Sequence, residues 1–371
     1  MKIMIVGDAS DRWIKEFVEN VLIGNAHVEI FSITNSKFKD WYQENKIIVH
    51  ELRDSKIFSS KIPGVRTALY LLKLRKFIKI IEADFVLCIY SNWMVQLAFT
   101  NIRKHNIVYW YMGSDLLRTP KLFMRIVRNP VNLAKQVIVI SKEMKTIFEE
   151  QYPDYKGKVS VVDFGCSNLD YVDSNNDSIE NCRRKILGEG VEKKTVVALG
   201  YNGSSAQQVD CILHSLRKMD SNIKEMMLLV IPMQYGRTDK KYIARVSNEA
   251  KKLGIDYAII TDYYDAEKMS QFVKATDVFV NAQKTDAMSA ALVEHLYGGT
   301  VVLNASWLHY SKLEDMGVYS LTFDSFEALG ELLHYVLNNI SECRMLAANN
   351  HEKMKKSFGW DRCKYDFYDA L

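Results

Sequence analysis

The sequence predicts an α/β protein of two domains, each built on a largely parallel sheet. Three observations predict it. Short apolar runs alternate with helical patterns along most of the 371 residues, the mark of βαβ units. That length suffices for two α/β domains of ordinary size, and a polar, acidic stretch at 167–194 divides the chain near its middle. The stretch 276–304, TDVFVNAQKTDAMSAALVEHLYGGTVVLN, is one whole unit of the pattern. Val278 to Val280 form a strand buried on both faces, and Gln283 to Asp286 break it. Ala290, Leu292, Val293, Leu296 and Tyr297 follow at helical spacing, Gly298-Gly299 stops the helix, and Val301 starts the next strand.

The first domain is expected over 1–168. Its strands fall at 2–6, 28–32, 47–50, 84–89, 107–111, 137–140 and 159–162, and its helices at 11–23, 65–81, 92–104, 119–133 and 142–151. After the first strand, GDASDR has one glycine where a dinucleotide fingerprint needs three, which excludes NAD and FAD. It leaves Gly7 and Asp8 in a loop at the strand's end. Helix 65–81 carries Arg66, Lys73, Arg75, Lys76 and Lys79, and 121–135 carries Lys121, Arg125, Arg128 and Lys135. Each reads either as a core helix with a solvated basic face or as a surface for anionic lipid. At 109–117, YWYMGSDLL, a strand ends in Gly113, Ser114 and Asp115. Asp115 caps the following helix or presents a carboxylate as a base.

The stretch 167–194 reads as a linker followed by one helix, and the second domain as 190–357. Its strands are expected at 195–199, 226–231, 257–260, 277–281, 301–303 and 319–323. Between the first of these strands and a helix lies GYNGSSAQQ. Its small residues, Gly203, Ser204 and Ser205, suit either a bound pyrophosphate or an ordinary turn. The loop has no Arg or Lys, and Arg237, Lys240 and Lys284 read either as cations for a bound diphosphate or as solvated surface charges. Trp307 packs near a bound base or closes the core. In 276–304 two acids stand out. Asp286 precedes the helix, and Glu294 lies two turns along it. They read as a cap and a solvated side chain, or as a pair holding ligand hydroxyls at strand ends. His295 is as readily a packed helix residue as a ligand.

Composition narrows the class. Residues 1–160 carry 25 Lys and Arg against 16 Asp and Glu, and the remainder 24 against 29, so the basic half calls for an anionic partner. No zinc-finger, RRM or helix-turn-helix signature appears, so nucleic acid is not expected. Six scattered cysteines without C-x-x-C fit a reducing cytoplasm. The opening MKIMIVGDAS lacks a signal peptide's apolar region, and no apolar run has a membrane span's length. The expected location is cytoplasmic, with peripheral contact at the inner face of the membrane through 65–81 and 119–135.

An acid, seven residues, then Glu, with a glycine turn and V-V-L-N behind it, resembles the E-x7-E unit of group 1 (family 4) glycosyltransferases, with Asp286 in place of the first Glu. The W-x-x-G-S-D run at 110–115, the G-x-x-G loop at 200–203 and P-M-Q-Y-G at 232–236 resemble lipid-linked 4-acetamido-4,6-dideoxygalactose transferases. The resemblance implies the GT-B fold: two Rossmann-like domains facing across a cleft, with a tail at 358–371 returning to the first. It implies transfer of a sugar from a nucleotide-diphosphate donor to a glycan or lipid-linked glycan in surface polysaccharide assembly. Glu294 and Asp286 would orient the donor, and Asn202, Gly203, Ser204, Arg237, Lys284, Thr285 and Ser289 would bind it. Gly7, Asp8, Gly113 and Ser114 would meet the acceptor, with Asp115 or Asp8 as base if the reaction inverts. The absence of D-x-D leads to no expected metal or other cofactor. A nucleotide-sugar 2-epimerase of the same fold, and a non-catalytic nucleotide-sugar-binding subunit, are the alternatives.

Overall fold

The computed structural model describes residues 1–32, 34–51, 65–236 and 240–371. These divide into two compact units, Met1–Gly165 with Trp360–Leu371, and Cys166–Gly359.

The first unit is a seven-stranded sheet of β1 (Lys2–Gly7), β2 (His27–Ser32), β3 (Ile48–Glu51), β4 (Phe85–Ile89), β5 (Asn106–Tyr111), β6 (Gln136–Val139) and β7 (Lys158–Val161). The order is β3-β2-β1-β4-β5-β6-β7 and every paired strand is parallel. Helices cover both faces of such a sheet, so both side-chain sets of a strand are apolar; Val86, Leu87, Cys88 and Ile89 are all buried. Side-chain caps set the helix starts. Asp11 accepts from the N–H groups of Trp13 and Ile14, Asn92 caps Trp93–Ala98, and Ser141 caps Lys142–Gln151. The tail helix Trp360–Ala370 belongs to this unit. Phe367 stacks on Trp110 at 5.6 Å, and Gln136 Nε2 donates to the Ala370 carbonyl at 2.7 Å.

Two helix expectations change here. The single helix expected at 119–133 is two short ones, Lys121–Ile126 and Arg128–Asn132. Pro130 has no N–H to give the carbonyl of Ile126 and its ring would strike that carbonyl, so the chain breaks at Val127 and restarts with Pro130 in the first turn. The helix expected at 92–104 ends at Ala98, because Thr100 Oγ1 bonds the Leu97 carbonyl and Asn101 turns left-handed at φ 60°.

The second unit is a six-stranded parallel sheet of β8 (Thr195–Leu199), β9 (Met227–Pro232), β10 (Asp256–Ile260), β11 (Val278–Asn281), β12 (Val301–Ala305) and β13 (Leu321–Phe323). Its order is β10-β9-β8-β11-β12-β13. The stretch expected as a linker followed by one helix forms two helices, Asn168–Ser174 and Ile179–Leu187, that pack on helix Ala266–Ala275. Arg183 fixes the second of them by bonding Asp277, which also binds Arg344 and the Val196 N–H. In both sheets the winding reverses once, between β1 and β4 and between β8 and β11. Crevices that take ligands open outside the carboxyl ends of the strands at such reversals.

Candidate functional site

The reversal in the second sheet joins two loops, one after β8 and one after β11. Gly200 turns left-handed at φ 65°, and a Cβ there would lie 2.7 Å from Gln207 Oε1. Glycine therefore lets the Gln207 amide fold over the end of β8. Gln207 Nε2 donates to Gln283 Oε1 at 3.2 Å, and Gln283 Nε2 donates to the Tyr201 hydroxyl at 2.6 Å. Bonds to backbone carbonyls hold the loops together. The Lys284 N–H reaches the Ala206 carbonyl at 2.9 Å, and Gln208 Nε2 reaches the Ala282 carbonyl at 2.7 Å. Trp307 Nε1 donates to the Gln283 carbonyl at 2.9 Å while its ring meets Phe323 and Phe326, so this Trp packs the loop from behind.

The two acids have different surroundings. Asp286 is half-buried at the mouth of the loop. Its Oδ1 accepts from the Ala287 N–H at 3.0 Å, and its Oδ2 accepts from the Ser289 N–H at 3.1 Å and the Tyr310 hydroxyl at 2.8 Å. Burial pushes its pKa up, against hydrogen bonds from Tyr310, Ala287, Ser289 and Gln283. The cap of helix Ala290–Tyr297 is Ser289, whose Oγ accepts from the Leu292 N–H at 3.3 Å. Asp286 lies three residues before that cap. Glu294 is not a solvated helix side chain. It is 3% exposed, and its Oε1 accepts from Asn168 Nδ2 at 2.5 Å. The exposed ring of Tyr235 lies 6.5 Å from that of Tyr201.

The remaining expected donor residues are placed as follows. Asn202 Oδ1 accepts from the Ser204 N–H at 2.9 Å, and the Gly203 N–H donates to the Tyr235 carbonyl at 2.9 Å. The N–H groups that a diphosphate would use at Gly203 and Ser204 are thus engaged within the unit. Residues 205–207 form a short 3-10 turn before helix Val209–Ser215. Thr285 is half-buried in the loop, and Lys284 is exposed, its ammonium in no ion pair among the described residues. Arg237 lies outside the described residues. Tyr201, Gln283, Asn281, Tyr310 and Asn168 join the site without having been singled out. A polar residue closing an apolar run was the available signal for Asn281 and Asn304, which are partners in the β11–β12 register.

In the first unit, a Cβ on Gly7 would lie 2.8 Å from Ile14 Cδ1, so this glycine lets the following helix pack on β1. Asp8 Oδ1 accepts from the Ser10 N–H at 2.8 Å and from the Thr34 hydroxyl, closing the loop after β1. Gly113 has φ 138°, and Ser114 is exposed. Asp115 lies inside the short helix Ser114–Leu117 and folds back. Its Oδ1 accepts from the N–H groups of Met112 at 3.0 Å and Gly113 at 2.8 Å. Burial still pushes its pKa up to about 6. Gly7 is the last residue of β1, Asp8 follows it, and Gly113, Ser114 and Asp115 lie beyond the carboxyl end of β5. Among the described residues, no three His, Cys, Asp or Glu side chains are grouped to hold a metal, and no helix is long and apolar enough to cross a membrane.

With this architecture the chain has the GT-B fold. Residues 2–143 match the family described as Glycosyl transferase 4-like. Sucrose-phosphate synthase from Thermosynechococcus elongatus superposes with a TM-score of 0.77 at 11% identity, covering 100% of this chain and 98% of that one. HepE of Anabaena, solved with UDP and glucose, gives 0.76 at 14% identity and covers 100% and 98%. WaaG, a glycosyltransferase involved in lipopolysaccharide biosynthesis, gives 0.70 at 15% identity and covers both chains fully. At these identities the likeness is one of fold. No curated protein sequence matches the chain. The family match lies in the first unit, and the likeness over the whole chain is one of fold.

Proposed function

We propose that the chain transfers a sugar from a nucleotide-diphosphate donor, held at the β8–β11 reversal, to a glycan or lipid-linked glycan acceptor met by the first unit. The observation that carries the reading is the meeting of Asp286, Ser289, Tyr201 and Gln283 at that reversal, with Glu294 buried on the helix that follows. Such a set offers carboxylates and hydroxyls to a polyhydroxy ligand. HepE, of the same fold, is solved with UDP and with UDP-glucose. Asp286 and Glu294 orient the donor. Charge growing on the diphosphate as the glycosidic bond breaks is met by Lys284 and Arg237, without a metal. Asp115, with its pKa near neutral, is placed in sequence and chemistry to act as a base if transfer inverts; the acid-x7-Glu unit favours retention.

Surface polysaccharide assembly at the membrane's inner face is the proposed setting. Helix Val65–Ile80 exposes Leu72 and Ile80 beside Lys76 and Lys79, and the helix Lys121–Ile126 exposes Leu122 and Ile126 beside Lys121 and Arg125. Apolar and basic side chains interleaved on one surface suit anionic lipid. The likeness to the dideoxygalactose transferases rests on the sequence runs alone.

A thermal-shift screen against UDP-, GDP-, TDP- and CMP-sugars tests the donor site. A ligand at about 100 times its Kd adds about 2.7 kcal/mol of stability. The expected result is that one nucleotide sugar stabilises the wild type and Glu294→Ala loses the response. If none stabilises a folded protein at millimolar concentration, the transferase reading fails. The loop after β8, without a cation and with N–H groups engaged, then favours an accessory subunit.

A further inference from the structure

The Tyr310 hydroxyl stands between two groups. It accepts from Asn281 Nδ2 at 2.9 Å and donates to Asp286 Oδ2 at 2.8 Å. Asn281 Nδ2 also donates to Asn304 Oδ1 at 3.1 Å. An amide N–H can only donate, so the phenol's single proton is left to point at the carboxylate. The chain of donors therefore runs one way, from Asn281 through Tyr310 to Asp286. Its foot is the sheet itself, because Asn281 and Asn304 are paired residues at the carboxyl ends of β11 and β12. Side chains held by strands place a group more narrowly than side chains held by loops.

We propose that Tyr310 is the positioning residue for Asp286, holding that carboxylate in the orientation that reads the donor's sugar; this rests on the nucleotide-sugar reading above. Stability does not account for the arrangement. Tyr310, Asn281 and Asn304 are all buried, and Asn281 Oδ1 is buried with no hydrogen-bond partner among the described residues. An unpartnered buried amide oxygen is destabilising, and apolar side chains of similar size would fill the same space without that cost. What the polar chain supplies is direction. Asp286 is the first acid after β11, in a loop whose Met288 holds a φ of 116°. The backbone N–H groups of Ala287 and Ser289 move with that loop. Tyr310 ties the carboxylate to a different element, the segment after β12. The loop is thereby fixed at the carboxylate of Asp286.

The test separates sugar from nucleotide. Affinity is measured by titration calorimetry for the nucleotide sugar that stabilises the wild type and for its parent nucleotide without the sugar. Loss of a hydrogen bond to a charged group predicts that Tyr310→Phe weakens the nucleotide sugar by about 10-fold or more. The parent nucleotide should stay within about twofold, because Asp286 does not read it. Asp286→Asn should show the same selective loss. The double variant should be no weaker than Asp286→Asn alone, since residues acting through one another are not additive. Equal weakening of sugar nucleotide and parent nucleotide, or additive losses, would overturn the role. Should Tyr310→Phe fail to fold, Asn281→Leu removes the donor behind the phenol, and a smaller selective loss is expected; unchanged sugar affinity in that variant overturns the proposal. If the wild type binds no nucleotide sugar at all, the donor reading itself falls and this role with it, a result distinct from wild-type binding that Tyr310→Phe leaves intact.

Discussion

His295 and Asp115 titrate in opposite senses, one in each unit. His295 is buried beside Glu294, stacked on Phe279 at 4.4 Å, and burial lowers its pKa to about 3 from 6.5. It is a packed side chain rather than a ligand. The unfolded chain takes up a proton below 6.5 that the folded second unit refuses until about 3, so this contribution to stability falls as pH falls through that window. The slope is about 1.4 kcal/mol per pH unit. His295→Phe keeps the stacking and removes the titration, so urea melts between pH 4.5 and 6.5 should show a shallower loss of stability than the wild type. Asp115 runs the other way. Its folded pKa, raised by burial to about 6 from 3.8, makes its contribution fully present below 3.8 and lost as pH rises through 6. Asp115→Asn should remove that dependence from the first unit, read by tryptophan fluorescence in a Trp307→Phe background, which leaves tryptophans in that unit alone.

At the scale of elements, strands were the most legible feature. Each expected strand is present, because a parallel strand covered on both faces must be a short unbroken apolar run, and Val278–Asn281 or Val301–Ala305 can be read directly. Helices were less legible where apolar spacing ran through a residue that cannot propagate a helix, as at Pro130. The loops gave up their local features and hid their tertiary ones. Asp286 and Ser289 were visible because their partners are neighbours in sequence. Tyr310 and Asn168 were not, because they reach Asp286 and Glu294 from 24 and 126 residues away. The phosphate-loop reading of Gly203 and Ser204 followed from small residues between a strand and a helix, and could not show that Tyr235 and Asn202 engage their N–H groups. Gly200 tests how far the loop depends on its turn. Alanine there must hold φ 65° and meet Gln207 Oε1 at 2.7 Å. The left-handed conformation alone costs a non-glycine residue about 1–2 kcal/mol. Gly200→Ala should lower the melting temperature by about 2–8 °C and weaken the nucleotide sugar as Gln207 is pushed off Gln283.

For the whole molecule, two units of the same winding carry different chemistry. The first is basic, with exposed Leu72, Ile80, Leu122 and Ile126, and the second carries the two acids. Liposome sedimentation should show binding to vesicles with anionic lipid that weakens with salt and with Leu72→Glu and Ile80→Glu together; equal binding to neutral vesicles would remove the membrane setting. Transfer itself is tested most directly by release of the free nucleotide from the donor identified in the thermal screen, measured with and without a lipid-linked glycan extract. The account predicts acceptor-dependent release that Glu294→Ala abolishes. A donor that binds and stabilises the protein but is never turned over with any acceptor, or is epimerised without one, would contradict it.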